Sequence, residues 1–303
     1  MPNRHKRKQP HLRPPPSPPS KSPKTTAVDQ KDPYPNHPRP TPQECRSVRN
    51  DLLAFHGFPK EFAKYRSLRP NLDPIPLLSD ASVQSPAKTE PFDGGGPVES
   101  VLDGLVNTIL SQNTTDLNSQ RAFASLKSAF PTWEDVLAAE SKALENAIRC
   151  GGLATTKAAC IKNLLSCLLE KKGKLCLEYL RELSVDEIKA ELSLFKGIGP
   201  KTVACVLMFQ LQQDDFPVDT HIFQIAKAVG WVPEQADTKK TYVHLNRRIP
   251  NELKFDLNCL LFTHGKLCRK CTKGGGTKEK SKSDDNSCPL LNYCRNSKSE
   301  FNS

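Results

Sequence analysis

Residues 197 to 202 place two glycines, a proline and a lysine where a turn would pass into a helix. Pro200 suits the first position of a helix, since the amide hydrogen that proline lacks would have no partner there. Gly197 and Gly199 permit positive φ and leave the amides of the turn uncovered. Amides at the start of a helix bind anions. The segment therefore predicts a phosphate site with the Lys201 amine beside it.

A carboxylate follows beyond the apolar run that Lys201 opens, at Asp219 in Pro-Val-Asp-Thr-His. An unprotonated lysine amine can attack a sugar carbon and form a Schiff base, and desolvation and nearby cations favour that unprotonated form. A carboxylate stabilises positive charge that develops on a sugar. Structural alternatives stay open, since Lys201 can grip a phosphate and Asp219 can cap a helix N-terminus.

These motifs, in this order, resemble the endonuclease III family of helix-hairpin-helix (HhH-GPD) DNA glycosylases. Residues 194–202 and 218–221 are similar to that family's hairpin and its Gly/Pro…Asp signature. Residues 109–116, Ile-Leu-Ser-Gln-Asn-Thr-Thr-Asp, are similar to its Leu-Ser-Ala-Gln-Ala-Thr-Asp stretch. The resemblance covers residues 98–268 and implies that Lys201 and Asp219 face each other across a cleft as the catalytic pair.

Helical periodicity dominates the chain after residue 98, as in the apolar run Val101, Leu105, Ile109 and Leu110, and strand-like alternation is scarce. The expected fold is therefore all-α. The resemblance implies two helical subdomains with the active site between them: a six-helix barrel that carries the hairpin, and a second subdomain built from both ends of the fold. The expected boundaries are 95–213 for the first, 42–65 plus 214–267 for the second, 66–94 for a linker, 268–294 for a cysteine loop and 295–303 for a tail.

Within the helices, Thr132 and Ser141 are candidate N-caps, Ser184 with Glu187 forms a capping-box pattern, and Gly57 is a candidate helix stop.

The first 41 residues form a basic, proline-rich tail that holds twelve of the chain's 26 prolines. Such a segment cannot bury enough apolar surface to fold alone. Its Arg-His-Lys-Arg-Lys cluster at residues 4–8 is a candidate nuclear import signal or DNA-binding arm, with a solvated charge run as the alternative. We expect a nuclear protein, with an organelle as the alternative.

The net charge of the whole chain is +11, which favours an anionic partner. No apolar run reaches the roughly 20 residues that a membrane-spanning helix needs.

A damaged base must leave the stack before its glycosidic bond can be reached, and a protein group must fill the gap. Gln112 and Asn113 match the stretch that inserts into DNA in the family, although an ordinary polar helix end is the alternative. His221 fits the family pattern or a purely structural role, and Lys157, after a second glycine turn, fits a phosphate contact or a solvated lysine. The predicted DNA-binding residues are Gly197, Ile198, Gly199, Thr202, Gln112, Asn113 and His221.

Four cysteines close the folded region as Cys268-x2-Cys271, sixteen residues, then Cys288-x5-Cys294. Four thiolates suit a [4Fe–4S] cluster or a tetrahedral zinc ion. The flanks resemble the family's cluster loop, whose spacing is Cys-x6-Cys-x2-Cys-x5-Cys. This chain has Asp285 where a cysteine is expected, and Cys271 can substitute if residues 272–287 loop out. We expect a structural iron–sulfur cluster, with zinc or no metal as alternatives.

The resemblance implies a bifunctional DNA glycosylase with AP lyase activity in base excision repair. Its expected partner is double-stranded DNA with damaged bases, most commonly oxidised pyrimidines, or abasic sites. Residues 111–113 and the Lys201–Asp219 pair also resemble plant enzymes that excise 5-methylcytosine. A non-catalytic helix-hairpin-helix DNA-binding module is the third alternative, against which the presence of both Lys201 and Asp219 argues. We expect a monomer, since no heptad seam is present.

Overall fold

The computed structural model describes residues 32–70, 72, 99–268 and 288–295. Its α-helices are α1 (Pro42–His56), α2 (Ala63–Ser67), α3 (Val101–Ser111), α4 (Asp116–Ala129), α5 (Trp133–Ala138), α6 (Ser141–Ala147), α7 (Ala154–Lys172), α8 (Val185–Leu192), α9 (Pro200–Cys205), α10 (Thr220–Ala228), α11 (Thr238–Arg248), α12 (Asn251–Leu267) and α13 (Leu291–Arg295). Short 3-10 turns occur at Lys60–Phe62, Arg149–Gly151 and Glu178–Glu182, and a π-helical turn at Val206–Gln210. No strand occurs within the described ranges, and the all-α prediction is confirmed.

Local sequence signals set most of the helix boundaries. Thr132 and Ser184 cap α5 and α8, each in a reciprocal capping box with the residue three positions on. Helix α1 stops at Gly57, which takes φ +67°. The prediction for α6 was wrong by one residue, because Glu140 is its N-cap and Ser141 is its first helical residue. Glu140 makes no side-chain cap hydrogen bond, so this helix start has no strong local signal.

Two hydrophobic clusters organise the helices. The first lies between residues 101 and 211 and contains the fully buried face of α3, with Leu105 and Leu110 at its centre. The second joins α1 to α10, α11 and α12 around Trp231. Helices from the two ends of the chain therefore share one core. The expected subdomain boundaries stay predictions. The residues of the first cluster fall within the expected 95–213 subdomain, and the second cluster combines residues of α1 with residues that follow position 214.

A third, small cluster lies where the two larger ones meet. Met208 of the π-helical turn packs there with Phe255 and Cys259 of α12. The Arg69 guanidinium donates hydrogen bonds to the Met208 and Gln213 carbonyls, at 2.7 and 2.9 Å, and so holds the exit of that turn. This region connects α9 to α10, which are the two helices that carry Lys201 and Asp219. No helix in the described part of the chain is long and apolar enough to cross a bilayer.

Candidate active site

Of the two glycines in the hairpin before α9, only Gly197 takes a backbone conformation that favours glycine. Gly197 takes φ +94°, and a Cβ there would lie 2.6 Å from the Cys160 Sγ. Gly199 takes φ −88° as the N-cap of α9, so the predicted need for positive φ holds at Gly197 alone. The Val203 amide donates to the Gly199 carbonyl at 3.1 Å, which leaves the earlier amides of α9 to face an anion.

The other predicted DNA-binding residues of the hairpin are largely buried. The Ile198 side chain packs in the first hydrophobic cluster, and its amide donates to the Phe195 carbonyl at 3.1 Å within the turn. Thr202 is buried, and its hydroxyl accepts a hydrogen bond from the Gln112 Nε2 at 3.1 Å. These two side chains therefore hold the hairpin and the Gln112 loop in place. Their contact with DNA stays a prediction.

Lys201 is exposed in the first turn of α9. Its ammonium forms no hydrogen bond or ion pair with any residue in the described ranges. Asp219 is half-buried and caps α10, where its Oδ1 accepts a hydrogen bond from the Ile222 amide at 2.7 Å. Capping engages one carboxylate oxygen of Asp219, so the second oxygen remains for another role.

The thiol of Cys205 lies within electrostatic reach of both charged groups. Desolvation raises the pKa of the Cys205 thiol to about 11, the Lys201 ammonium lowers that pKa and the Asp219 carboxylate raises it. Charges act this way over short distances. Cys205 follows Lys201 by one helical turn, whereas Asp219 belongs to α10. The fold therefore places a thiol that stays protonated at neutral pH within reach of both the amine and the carboxylate. The four-residue spacing between Lys201 and Cys205 is the sequence signal for this neighbour.

The loop after α3 carries the two residues predicted to enter DNA. Gln112 ends α3, and the exposed Asn113 takes φ +51°, a conformation that asparagine tolerates better than most residues. Lys157 fixes the start of this loop, because its Nζ donates to the Leu110 carbonyl at 2.7 Å and to the Gly151 carbonyl at 2.8 Å. Lys157 is only 3% exposed. Both predictions for it, a phosphate contact and a solvated lysine, were wrong.

His221 lies in the first turn of α10 and packs against α12. A Cβ at Gly265 would lie 2.5 Å from the His221 Cβ, so the two helices meet where α12 has no side chain. The His221 ring also makes an edge contact with Phe262, with the ring centroids 6.1 Å apart. These contacts favour the structural alternative for His221, and its contact with DNA stays a prediction.

The predicted metal ligands are partly described. Cys268, Cys288 and Cys294 pack with the second hydrophobic cluster, whereas Cys271 lies outside the described residues. A histidine joins them: the donor atoms of His264, Cys268 and Cys288 all lie within 4.8 Å of one another. Sequence reasoning treated His264 only as a flank of the loop. Its position one helical turn before Cys268 was the available signal.

The donor set does not match the family's iron–sulfur loop in composition. The group of close donors comprises one imidazole and two thiols, and Asp285 stands three residues before Cys288, where the usual spacing has a cysteine. The iron–sulfur cluster therefore stays a prediction of the resemblance.

Comparisons with known proteins agree with this architecture. A sequence model of the HhH-GPD superfamily of base excision DNA repair proteins matches residues 106–251. The chain is 60% identical over 268 residues to a protein of Arabidopsis thaliana provisionally named a DNA glycosylase, an alignment that covers 88% of this chain and 90% of that protein. It is 31% identical over 186 residues to the DNA glycosylase/AP lyase ROS1 of Arabidopsis thaliana, covering 56% of this chain but only 13% of ROS1.

Among solved structures, a trapped covalent complex of endonuclease III with DNA has the same fold. It superposes with a TM-score of 0.56 at 22% identity, over 84% of this chain and 96% of that one. The fold, the hairpin and the extent of the similarity to the Arabidopsis protein lead to one conclusion. The chain belongs to the HhH-GPD superfamily of base excision DNA repair proteins.

Proposed function

We propose that this DNA glycosylase is bifunctional: it removes a damaged base from double-stranded DNA and then cuts the strand as an AP lyase. The observation that carries the proposal is an exposed lysine with no partner among the described residues, which acts on the same thiol as a carboxylate. Among the described residues the Lys201 ammonium has no hydrogen bond or ion pair, and Lys201 and Asp219 both act on the pKa of the Cys205 thiol. A DNA-binding module needs neither group.

The first step of the proposed reaction is base removal. The free amides at the start of α9 hold a backbone phosphate, because they carry the positive end of the helix dipole. With the base flipped out, the unprotonated Lys201 Nζ forms a bond to C1′ of the sugar. The bond between C1′ and the base breaks, and the base leaves with its electron pair and gains a proton. The Asp219 carboxylate stabilises the positive charge that develops on the sugar.

The second step is strand cleavage. The sugar ring opens to a Schiff base in which C1′ is bound to Nζ of Lys201. Loss of a proton from C2′ then expels the 3′ phosphate by β-elimination, and water releases Lys201 from the product. Gln112 and Asn113, held beside α9 by the hydrogen bond from Gln112 to Thr202, fill the space that the flipped base leaves.

Oxidised pyrimidines are the proposed substrates, as in the endonuclease III family. The second candidate is 5-methylcytosine. Residues 111–113, Ser-Gln-Asn, favour it through their resemblance to plant enzymes that excise 5-methylcytosine. The identity with the DNA glycosylase/AP lyase ROS1 supports the lyase step for either substrate. The basic cluster at residues 4–8 supports a nuclear location, and we expect the protein to act as a monomer.

The test is sodium borohydride trapping on a duplex with one abasic site. Wild type should give a covalent adduct, Lys201→Gln should give none, and Lys174→Gln should behave as wild type because Lys174 is an exposed lysine far along the chain from the hairpin. No adduct from folded wild type would refute the lyase step. Base release from duplexes with an oxidised pyrimidine or 5-methylcytosine then separates the two substrates. Binding without release from any duplex would leave a DNA-binding module.

A further inference from the structure

We propose that His264, Cys268 and Cys288 bind a single zinc ion, with Cys294 as the fourth ligand. The ion would occupy the place of the iron–sulfur cluster that the family resemblance implies. His264 belongs to the last turn of α12 and Cys268 is the C-cap of that helix. Cys288 precedes α13 by three residues, and Cys294 lies within α13. The ion would therefore join the two ends of residues 269–287.

The spacing of the donor atoms fits one ion. A tetrahedral site with Zn–S bonds of about 2.3 Å and Zn–N bonds of about 2.0–2.1 Å keeps its ligand atoms about 3.5–3.8 Å apart. The His264 Nε2 lies 3.3 Å from the Cys288 Sγ, and all three donor atoms lie within 4.8 Å. In a [4Fe–4S] cluster each cysteine binds a different iron at a different corner of the cluster. The cysteine sulfurs therefore lie further apart than the ligands of a single zinc ion.

The second nitrogen of His264 supports the same assignment. His264 is fully buried, and its Nδ1 lies 2.8 Å from the Nε2 of His56 in α1. Histidines that bind metals through one nitrogen usually hydrogen-bond through the other, which fixes the ring and its tautomer. If the His264 Nδ1 donates to His56, its Nε2 carries the lone pair that faces Cys288. The sequence alone gives no reason to connect His56 with this loop.

Cys294 is the fourth donor that the described residues offer. It belongs to α13, six residues beyond Cys288, and packs with the same hydrophobic cluster. Its Sγ lies 3.4 Å from the Leu290 carbonyl, so binding the ion requires this thiol to turn from that carbonyl towards the other three donors. A zinc ion on this set would connect α12 and α13 directly and α1 through His56.

The first experiment measures the metal and sulfide content of the full chain purified without oxygen from medium that contains zinc and iron. We expect about one zinc per chain, as in structural Cys₃His sites, with no acid-labile sulfide and no brown colour. Replacement of zinc by cobalt should give the visible spectrum of a tetrahedral thiolate site. About four irons and four sulfides per chain would overturn the proposal, and so would a protein without metal.

Variants then test each ligand by metal content, with circular dichroism as the control for folding. His264→Ala should lose zinc. His264→Cys offers a thiolate in the same place, so it should keep zinc and show stronger thiolate-to-cobalt absorption. Cys45→Ser, which removes a buried thiol from the same hydrophobic cluster, should keep its zinc. Full zinc and an unchanged cobalt spectrum in His264→Ala would refute ligation by His264. Loss of zinc in Cys271→Ser but not in Cys294→Ser would refute the fourth ligand.

Discussion

Lys157 and Lys201 each follow a glycine-bounded turn at the start of a helix, yet the fold gives them opposite environments. Lys157 is 3% exposed and donates to two backbone carbonyls, one of them 47 residues away in the chain. Lys201 is exposed, and its ammonium has no hydrogen bond or ion pair among the residues the structure describes. Lys157 therefore stabilises the fold, whereas the amine of Lys201 is accessible to a substrate.

The difference shows that the residue type and its turn do not decide the chemistry. Burial lowers the pKa of Lys157, which would favour a nucleophile, but its donors are engaged and no substrate can reach it. Lys201 has access to solvent and helix amides beside it, and it acts on the same Cys205 thiol as the Asp219 carboxylate. The hydrogen bond from Lys157 to the Leu110 carbonyl also supports the site, because it fixes the end of α3 just before Gln112 and Asn113.

The largest effect is expected when the exposed lysine is removed. Lys201→Gln should abolish borohydride trapping, while the free energy of unfolding changes by less than about 0.5 kcal/mol, as for other exposed residues. Trapping gels and urea unfolding measure the two quantities. An adduct that survives in this variant would place the nucleophile elsewhere and remove the contrast with Lys157.

Asp219→Asn should come next. Asparagine caps helices as well as aspartate does, so α10 should keep its stability. Base release under single-turnover conditions should slow about 100-fold or more, because the charge that stabilises the sugar cation is lost. Asp237→Asn is the matched control, since the Asp237 Oδ1 caps α11 in the same way, by accepting a hydrogen bond from the Lys240 amide at 2.8 Å. If base release is equally fast in the two variants, Asp219 only caps α10 and does not stabilise the sugar cation.

Lys157→Met tests the buried member of the pair. The change leaves the Leu110 and Gly151 carbonyls without their donor, and we expect it to lower the free energy of unfolding by about 1–3 kcal/mol. Lys174→Met, at an exposed lysine, is the control and should change little. Urea unfolding provides the comparison. Equal stability of the two variants would contradict a structural role for Lys157.

The glycines of the two turns allow a further comparison. Gly197→Ala should cost about 1–3 kcal/mol, since it combines strain at φ +94° with a contact to the Cys160 Sγ. Gly152→Ala, at φ +69° with no described atom near its Cβ position, should cost only the backbone strain, about 1–2 kcal/mol. Adding Cys160→Ala should restore part of the loss at Gly197 and nothing at Gly152. Thermal unfolding measures all four proteins.

The smallest effect is expected at Gln112. Gln112→Ala removes the 3.1 Å hydrogen bond to Thr202, which is worth about 1 kcal/mol, and should slow base release roughly fivefold. Asn113→Gly keeps the φ +51° turn and removes only the side chain, so it shows how much of the loop's role is backbone shape. Unchanged rates in both variants would mean that other residues fill the gap in DNA.

The features that the sequence predicted correctly depend on neighbours within one helical turn. The capping boxes of Thr132 and Ser184, the cap at Asp219 and the stop at Gly57 each involve contacts within three or four residues. The all-α fold follows from the same short-range periodicity. The error at Ser141 was local as well, since α6 has no side-chain cap that could mark its start.

The features that the sequence did not reveal join residues that are far apart in the chain. Lys157 meets a carbonyl 47 residues away, His264 meets Cys288 at a separation of 24 and His56 at a separation of 208. The sequence by itself determined the helices, the hairpin and the types of groups available, because each is set by nearby residues. Only the tertiary structure decided which lysine is exposed, which thiol lies within reach of it and of Asp219, and which histidine joins the cysteines of the last loop, because packing between distant helices controls burial and distance.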